Sequence, residues 1–325
     1  MDKNLKFSII IPFQQPSEYL YECLKHLQRL SYANYEIILL PDKKEILTYH
    51  KTKVIPTGRV GPAKKRDKGV IKSSGDIVAF IDDDAYPDRD WLKNAFSNFQ
   101  IEGIAAVCGP GVTPSSDDVF QKASGWVNQL WFGSGGAGTY RFTPRRKRFV
   151  DDFPSMNFLV RKEDFIKAGG FDTHFWPGED TKLCHEIVYK LHKKILYDPK
   201  VLVYHHRKPL FLPFLAQISR YALHRGHFAR ILPVTSLRIG YLVPSLFVTF
   251  LIFVFFVPFT SEEFRFVYLF ILGLYFVLLA SNTLYILIKT RNILISSITG
   301  IGMLLTHITY GFLFPIGFIK KSLRQ

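Results

Sequence analysis

Three consecutive aspartates, Asp82-Asp83-Asp84, close the apolar run that ends at Ile81. Carboxylate oxygens are the ligands that Mg²⁺ and Mn²⁺ take, and such an ion offsets the negative charge of a phosphate group. At a strand end successive side chains diverge, so one carboxylate suits a metal while its neighbour suits an adjoining group such as a ribose. Taken alone, the run fits a solvated acidic turn or a helix cap equally well. A second acidic pair, Glu179-Asp180, follows Pro177-Gly178 and is expected at the mouth of a helix, where capping is again the plain alternative.

The elements that must hold these residues are legible from periodicity. Phe7 to Pro12 and Glu36 to Leu40 are short apolar runs separated by the amphipathic stretch Glu18 to Leu30, which reads as strand, helix, strand. Val70 to Ser74 reads as a helix end, Asp76 to Ile81 as a buried strand, and Asp90 to Phe99 as a further helix. Such alternation predicts a mostly parallel α/β sheet covered by helices, with ligands beyond the carboxyl ends of its strands, where Asp42 and the aspartate run fall. Gly133 to Gly138 and the basic run Arg145-Arg146-Lys147-Arg148 are expected in a mobile loop. Lys64, Lys65 and Lys68 suit a solvated helix face.

The 325 residues carry 42 Lys plus Arg against 27 Asp plus Glu, a formal charge of +15 that suits phosphates or acidic lipid headgroups. Zinc-finger spacing, basic-zipper heptads and aromatic RNA-binding signatures are missing, so nucleic acid is not the expected partner. Cys23, Cys108 and Cys184 are isolated and predict neither a zinc site nor a disulfide framework. Pro209 to Pro233 mixes Phe and Leu with Arg220, His224, Arg225, His227 and Arg230, a blend for a helix in a membrane interface. Three spans of about residues 242–259, 264–288 and 293–319 are apolar enough to enter a bilayer; the first two are expected to cross it, while the last, interrupted by Gly300, Gly302, His307, Gly311, Pro315 and Gly317, either crosses or re-enters. The polar amino terminus lacks a secretory core, so the soluble part is expected on the cytoplasmic side.

The ordered set SIIIPF (Ser8 to Phe13), GPAKKRDKGV (Gly61 to Val70), SSGDIVAFIDDD (Ser73 to Asp84), AGGFD (Ala168 to Asp172) and PGEDTKLC (Pro177 to Cys184) resembles glycosyltransferase family 2 with its GT-A, Rossmann-like fold. The resemblance covers about residues 7–206. It implies that Pro12, Phe13 and Asp42 hold the nucleotide base, with strand ends and a helix cap as alternatives. Arg66 and Asp67 stand where the family often has Arg-Asn, implying a contact to base or diphosphate. Asp84 and Asp82 would bind Mg²⁺ or Mn²⁺, Asp82 also facing the nucleotide and Asp83 assisting either. The similarity places a metal-binding histidine at His205, a sugar-side contact at Asn157, a donor-side role at Glu179 and the general base at Asp180. Gln217-Ile218-Ser219-Arg220-Tyr221 resembles the QxxRW motif of processive synthases with Tyr for Trp, which would set Arg220 near the diphosphate.

The expected organisation is a GT-A domain over 1–207, interfacial amphipathic helices over 208–238 and transmembrane helices over 239–325. The implied function is an inverting, metal-dependent glycosyltransferase that moves one sugar from a nucleotide-sugar to a membrane-associated, polyprenyl-linked acceptor in cell-surface polysaccharide or glycolipid assembly. A multi-pass protein of a prokaryotic plasma membrane, in contact with membrane lipids, is the matching location. A processive synthase and a non-catalytic scaffold with a degenerate transferase domain are the alternatives. The scaffold is suggested by Asp67 and Lys182, which depart from the family pattern.

Overall fold

The computed structural model describes residues 4–136, 138–171 and 178–320. Asp172 and Pro177, named in the sequence motifs above, lie outside them. In chain order the elements are β1 (Phe7–Pro12), α1 (Glu18–Leu27), β2 (Tyr35–Leu40), β3 (Thr52–Val54), α2 (Pro62–Lys72), β4 (Ile77–Ile81), β5 (Ala85–Pro87), α3 (Trp91–Phe99), β6 (Ile104–Cys108) and β7 (Gly111–Val112). Then follow α4 (Val119–Gln129), α5 (Trp131–Ser134), α6 (Thr139–Phe142), β8 (Arg148–Val150), β9 (Asn157–Arg161), α7 (Lys162–Lys167), α8 (Glu179–His185), β10 (Lys194–Tyr197) and β11 (Val203–His205). The helices α9 (Leu212–Ile231), α10 (Pro233–Ser236), α11 (Ile239–Ile252), α12 (Glu262–Thr290) and α13 (Ile293–Ile319) complete the chain. It divides into two compact units, Met1–Val112 with Thr143–His206, and Thr113–Phe142 with Arg207–Gln325.

The first unit is built on an eight-stranded sheet of order β3-β2-β1-β4-β9-β6-β10-β8. Strands β3, β2, β1 and β4 are mutually parallel, while β9 runs antiparallel to both β4 and β6. Every residue of β1, β2, β4 and β6 is buried, as strands covered on both faces require. Helix α2 lies close on this sheet because Gly69 has no side chain: a Cβ there would fall 2.8 Å from Ile10 Cγ2 and 2.9 Å from Leu40 Cδ1. Arg145, Arg146 and Lys147 lie outside helix and strand, as expected of a loop, and only the last residue of the basic run, Arg148, enters β8, an edge strand antiparallel to β10.

Register at the amino-terminal strand ends is fixed by a buried polar knot. Glu36 Oε1 accepts from Ser8 Oγ, Ser74 N and Ser74 Oγ, each at 2.7 Å, and Oε2 pairs with Lys53 Nζ at 2.8 Å. Burial alone would raise the Glu36 carboxyl, but the Lys53 and serine donors outweigh it and hold it down at about 2. The turn before β4 is thereby tied to β1 and β2.

At its other end β4 delivers the aspartate run. The chain leaves the large sheet at Ile81 and joins a three-stranded sheet, β5-β11-β7, at Ala85. Asp82, Asp83 and Asp84 are the whole of the link, closed by Ala85 N donating to Asp82 O at 3.1 Å. In the small sheet β11 runs antiparallel to β5 and sets His205 opposite Ala85.

The second unit is helical. Its apolar core joins Ala123 and Val127 of α4 to Phe214 and Ile218 of α9, Ile286 of α12, and Ile295, Ile298 and Met303 of α13. The Thr113–Phe142 segment, expected with the catalytic domain, therefore packs among the carboxyl-terminal helices. Two of its helices, α12 and α13, are long and apolar enough to cross a membrane. The first expected span, 242–259, is not one helix: α11 stops at Ile252, and short 3-10 turns follow at Phe253–Phe255 and Val257–Phe259. Fourteen residues of helix reach about 21 Å, short of a hydrocarbon core of about 30 Å. The glycines that interrupt the last apolar stretch are close-packing positions. A Cβ on Gly317 would lie 2.0 Å from Leu223 O, and one on Gly311 2.1 Å from Pro244 O.

Because the folded Glu36 carboxyl is depressed, its contribution is present above the unfolded value near 4.5 and is lost as pH falls towards 2. Glu36→Gln is expected to cost roughly 1–3 kcal/mol at pH 7. Thermal unfolding of the full chain in detergent should show the gap to the unsubstituted protein narrowing between pH 4.5 and pH 2.5. A gap that stays constant with pH would assign the loss to shape rather than charge.

Candidate active site

His205 is the last residue of β11 and His206 follows it, and successive side chains at this strand end point apart. His205 Nε2 lies 3.0 Å from Asp84 Oδ1, whereas His206 turns to Glu22, Nε2 to Oε2 at 2.8 Å, and stacks on Tyr19 with centroids 4.2 Å apart. His206 N donates to Asp84 O at 2.9 Å, which pins the backbone of the aspartate link against β11. The result is a convergence of three side chains. Ligand-type atoms of Asp82, Asp84 and His205 all lie within 4.8 Å of one another, and each residue is partly exposed. Two carboxylates and one imidazole form a donor set that suits Mn²⁺ or Mg²⁺. Beneath the link, burial and then the carboxylates of Asp83 and Asp84 push the Cys23 thiol well above its ordinary range, so it is a neutral core group.

Helix α2 supplies three consecutive side chains to three different places. Lys65, expected on a solvated face, is 3 % exposed; its ammonium meets Asp42 Oδ1 and the Phe13 carbonyl and donates to Leu40 O at 3.3 Å. The signal for its burial was spacing: Lys65 is one turn before Gly69 and shares the face that packs on the sheet. Arg66 is also buried, with Nη2 2.6 Å from Asp82 Oδ1 and Nη1 3.4 Å from Glu179 Oε1. Asp67 Oδ1 accepts from Phe171 N at 3.0 Å and so fastens the turn after α7.

The remaining expected residues divide by accessibility. Pro12 and Phe13 sit at the end of β1, both buried, with Phe13 N donating to Leu40 O at 3.2 Å, and Asp42 lies just beyond β2, its N–H donating to Gln14 O at 3.2 Å. Asn157 is completely buried: it accepts from Trp91 Nε1 at 2.9 Å and donates to Gly109 O at 2.7 Å and Val201 O at 2.8 Å. Its amide serves the fold, which corrects the expectation of a sugar contact. Glu179 and Asp180 open α8, as the sequence predicts. Glu179 Oε2 accepts from Gly178 N at 2.9 Å, and Asp180 accepts from Thr181 N at 2.8 Å and Ser155 N at 3.3 Å. Arg220 is exposed on α9 in the second unit, where Gln217 Nε2 donates to Tyr221 Oη at 3.1 Å one turn away.

Residues 8–168 match the family model described as Glycosyl transferase family 2, and the chain belongs to that family. Its fold is GT-A. A pre-mycofactocin glycosyltransferase of Mycobacterium tuberculosis is 25% identical over 163 residues, covering 50% of this chain and 33% of that protein. A glucosyl-dolichyl phosphate glucuronosyltransferase of Haloferax volcanii is 24% identical over 152 residues, 45% of this chain and 47% of the relative. A dolichyl N-acetyl-alpha-D-glucosaminyl phosphate 3-beta-D-2,3-diacetamido-2,3-dideoxy-beta-D-glucuronosyltransferase of Methanococcus voltae is 23% identical over 239 residues, 67% of this chain and 72% of the relative. The chain thus spans about a third of the first relative and about half of the second. Among solved structures, the mannosyltransferase PcManGT of Pyrobaculum calidifontis, in complex with GDP-Man and Mn²⁺, superposes with a TM-score of 0.50 at 19% identity, over 70% of this chain and 64% of that one.

Breaking a buried ion pair on one side leaves its partner uncompensated. Lys65→Met is accordingly expected to destabilise the protein by on the order of 3 kcal/mol, while Lys64→Met, on the exposed side of α2, stays within about 0.5 kcal/mol. Denaturant melts of the two variants side by side check this, and equal losses would place both lysines on the surface.

Proposed function

We propose that the protein is a metal-dependent, inverting glycosyltransferase that adds one sugar from a nucleotide-sugar to a lipid-linked acceptor at a membrane. The observation that carries this reading is the convergence of Asp82, Asp84 and His205 beyond the carboxyl end of β4, the place where open parallel sheets bind ligands. Those three residues would hold Mn²⁺ or Mg²⁺, which when bound supplies Lewis-acid neutralisation of the donor diphosphate. The ends of β1 and β2, at Pro12, Phe13 and Asp42, would seat the base. Lys65 holds the Asp42 carboxylate in place.

Asp180 is the proposed base. Two backbone N–H groups orient its carboxylate, and the same oxygens are the proton acceptors the reaction needs. In the transfer a bond forms between the acceptor oxygen and the anomeric carbon as the bond from that carbon to the diphosphate oxygen breaks. The acceptor proton passes to Asp180, and the nucleoside diphosphate leaves with the bond's electron pair.

The lipid-linked acceptor is supported by the names of two relatives, which specify dolichyl phosphate substrates, and by the two long apolar helices. Helices in the membrane hold a transferase beside a membrane-bound acceptor and raise its effective concentration. The basic, exposed side chains of α9, Arg220 among them, suit lipid headgroups. Asp180→Asn should keep donor affinity and lower the transfer rate by about 10²- to 10⁴-fold. Membranes carrying the variant and offered radiolabelled nucleotide-sugars, followed by lipid extraction, measure this; near-normal label in the lipid phase would remove Asp180 from the role.

A further inference from the structure

Arg66 joins the two acidic motifs through one guanidinium, and on the reading above we infer that it is a positioning residue that couples metal binding at Asp82 to Glu179 at the start of α8. Asp82 serves two cations. One of its oxygens lies 2.6 Å from Arg66 Nη2, and the same residue is one of the three that converge with Asp84 and His205. Glu179, which is not among those three, takes the other arm of the guanidinium at 3.4 Å, and its side chain is only 6 % exposed. A planar fork can bridge two carboxylates in this way, whereas an ammonium concentrates its charge on one point.

Two further observations make the bridge more than a surface pairing. Arg66 is 5 % exposed, and its Nε is buried with no hydrogen-bond partner among the described residues. Leaving that donor unmade carries a desolvation cost, so the guanidinium is placed by its two carboxylates rather than by the satisfaction of every donor. Glu179 is in turn anchored to Gly178 N at 2.9 Å, next to Asp180, so it cannot follow the guanidinium without moving the opening of α8.

The charge balance then gives a direction. Arg66 shares its positive charge between Glu179 and Asp82, and whatever falls on Asp82 makes that carboxylate a poorer metal ligand. Neutralising Glu179 commits the guanidinium to Asp82 and weakens the metal site from a residue that does not ligate it. Coupling of this kind is reciprocal, so metal on Asp82 strengthens the hold of Arg66 on Glu179 and steadies the segment that carries Asp180.

The test is a double-mutant cycle read by Mn²⁺ affinity, from the free-ion electron paramagnetic resonance signal of the full chain in detergent. Glu179→Gln should weaken Mn²⁺ binding about fivefold or more in the unsubstituted background and leave it unchanged when Arg66→Gln is present. Unchanged affinity in the first background, or equal weakening in both, would overturn the coupling. Arg66→Lys serves as the second background if Arg66→Gln does not fold, with thermal unfolding as the control. The metal site itself is tested separately by Asp84→Asn and His205→Ala. Mn²⁺ binding indifferent to both would sink the metal assignment, whereas binding sensitive to both but indifferent to Glu179 would sink only the coupling.

Discussion

Three residues separate the strand that ends in one sheet from the strand that begins in the next, and the candidate site depends on that short passage. Ile81 is the last residue of β4 and Ala85 the first of β5, so the backbone of Asp82-Asp83-Asp84 is held at both ends. The pairing of β5 with β11 then determines which histidine faces the aspartates. His205 stands opposite Ala85, and the hydrogen bond from His206 N to Asp84 O locks the register. A one-residue slip in that pairing would exchange the faces of His205 and His206 and dismantle the donor set.

Helix α2 is the second organising element, because Lys65, Arg66 and Asp67 reach different parts of the first unit from adjacent positions. Lys65 ties down the ends of β1 and β2, Arg66 spans Asp82 and Glu179, and Asp67 holds Phe171. Buried charges are tolerated only when paired, and the buried Lys65 and Arg66 each meet carboxylates, while the half-buried Asp67 takes a backbone N–H. The base end, the metal end and the acceptor end of the proposed site are in this way braced by one helix. Gly69, one turn on, permits the close approach that puts those side chains within reach.

Much of this was legible in the sequence, and the exceptions have physical reasons. The buried parallel strands announce themselves as apolar runs, and β1, β2 and β4 fall where periodicity places them. Asp82, Asp84 and His205 come together as the family resemblance implies. Residue type alone puts Lys65 on the surface, and only its spacing from Gly69 places it on the buried face. For Asn157, an amide beside a predicted site reads the same in sequence whether it faces a ligand or, as here, satisfies Trp91, Gly109 and Val201. In the helical unit, hydropathy marked 242–259 as a span but could not show that the helix stops at Ile252. The glycines of α13 looked like interruptions; at Gly311 and Gly317 they are the places where another backbone comes closest.

The central claim is that the link between two sheets, with a histidine from β11, forms a donor-binding metal site. Pulsed electron paramagnetic resonance of Mn²⁺ bound to the full chain, with a nucleoside diphosphate present, tests it directly. The account predicts a nitrogen coupling that disappears in His205→Ala but persists in His206→Ala, together with a phosphorus coupling from the diphosphate. A Mn²⁺ signal with no histidine nitrogen, or one whose nitrogen coupling depends on His206, would contradict it.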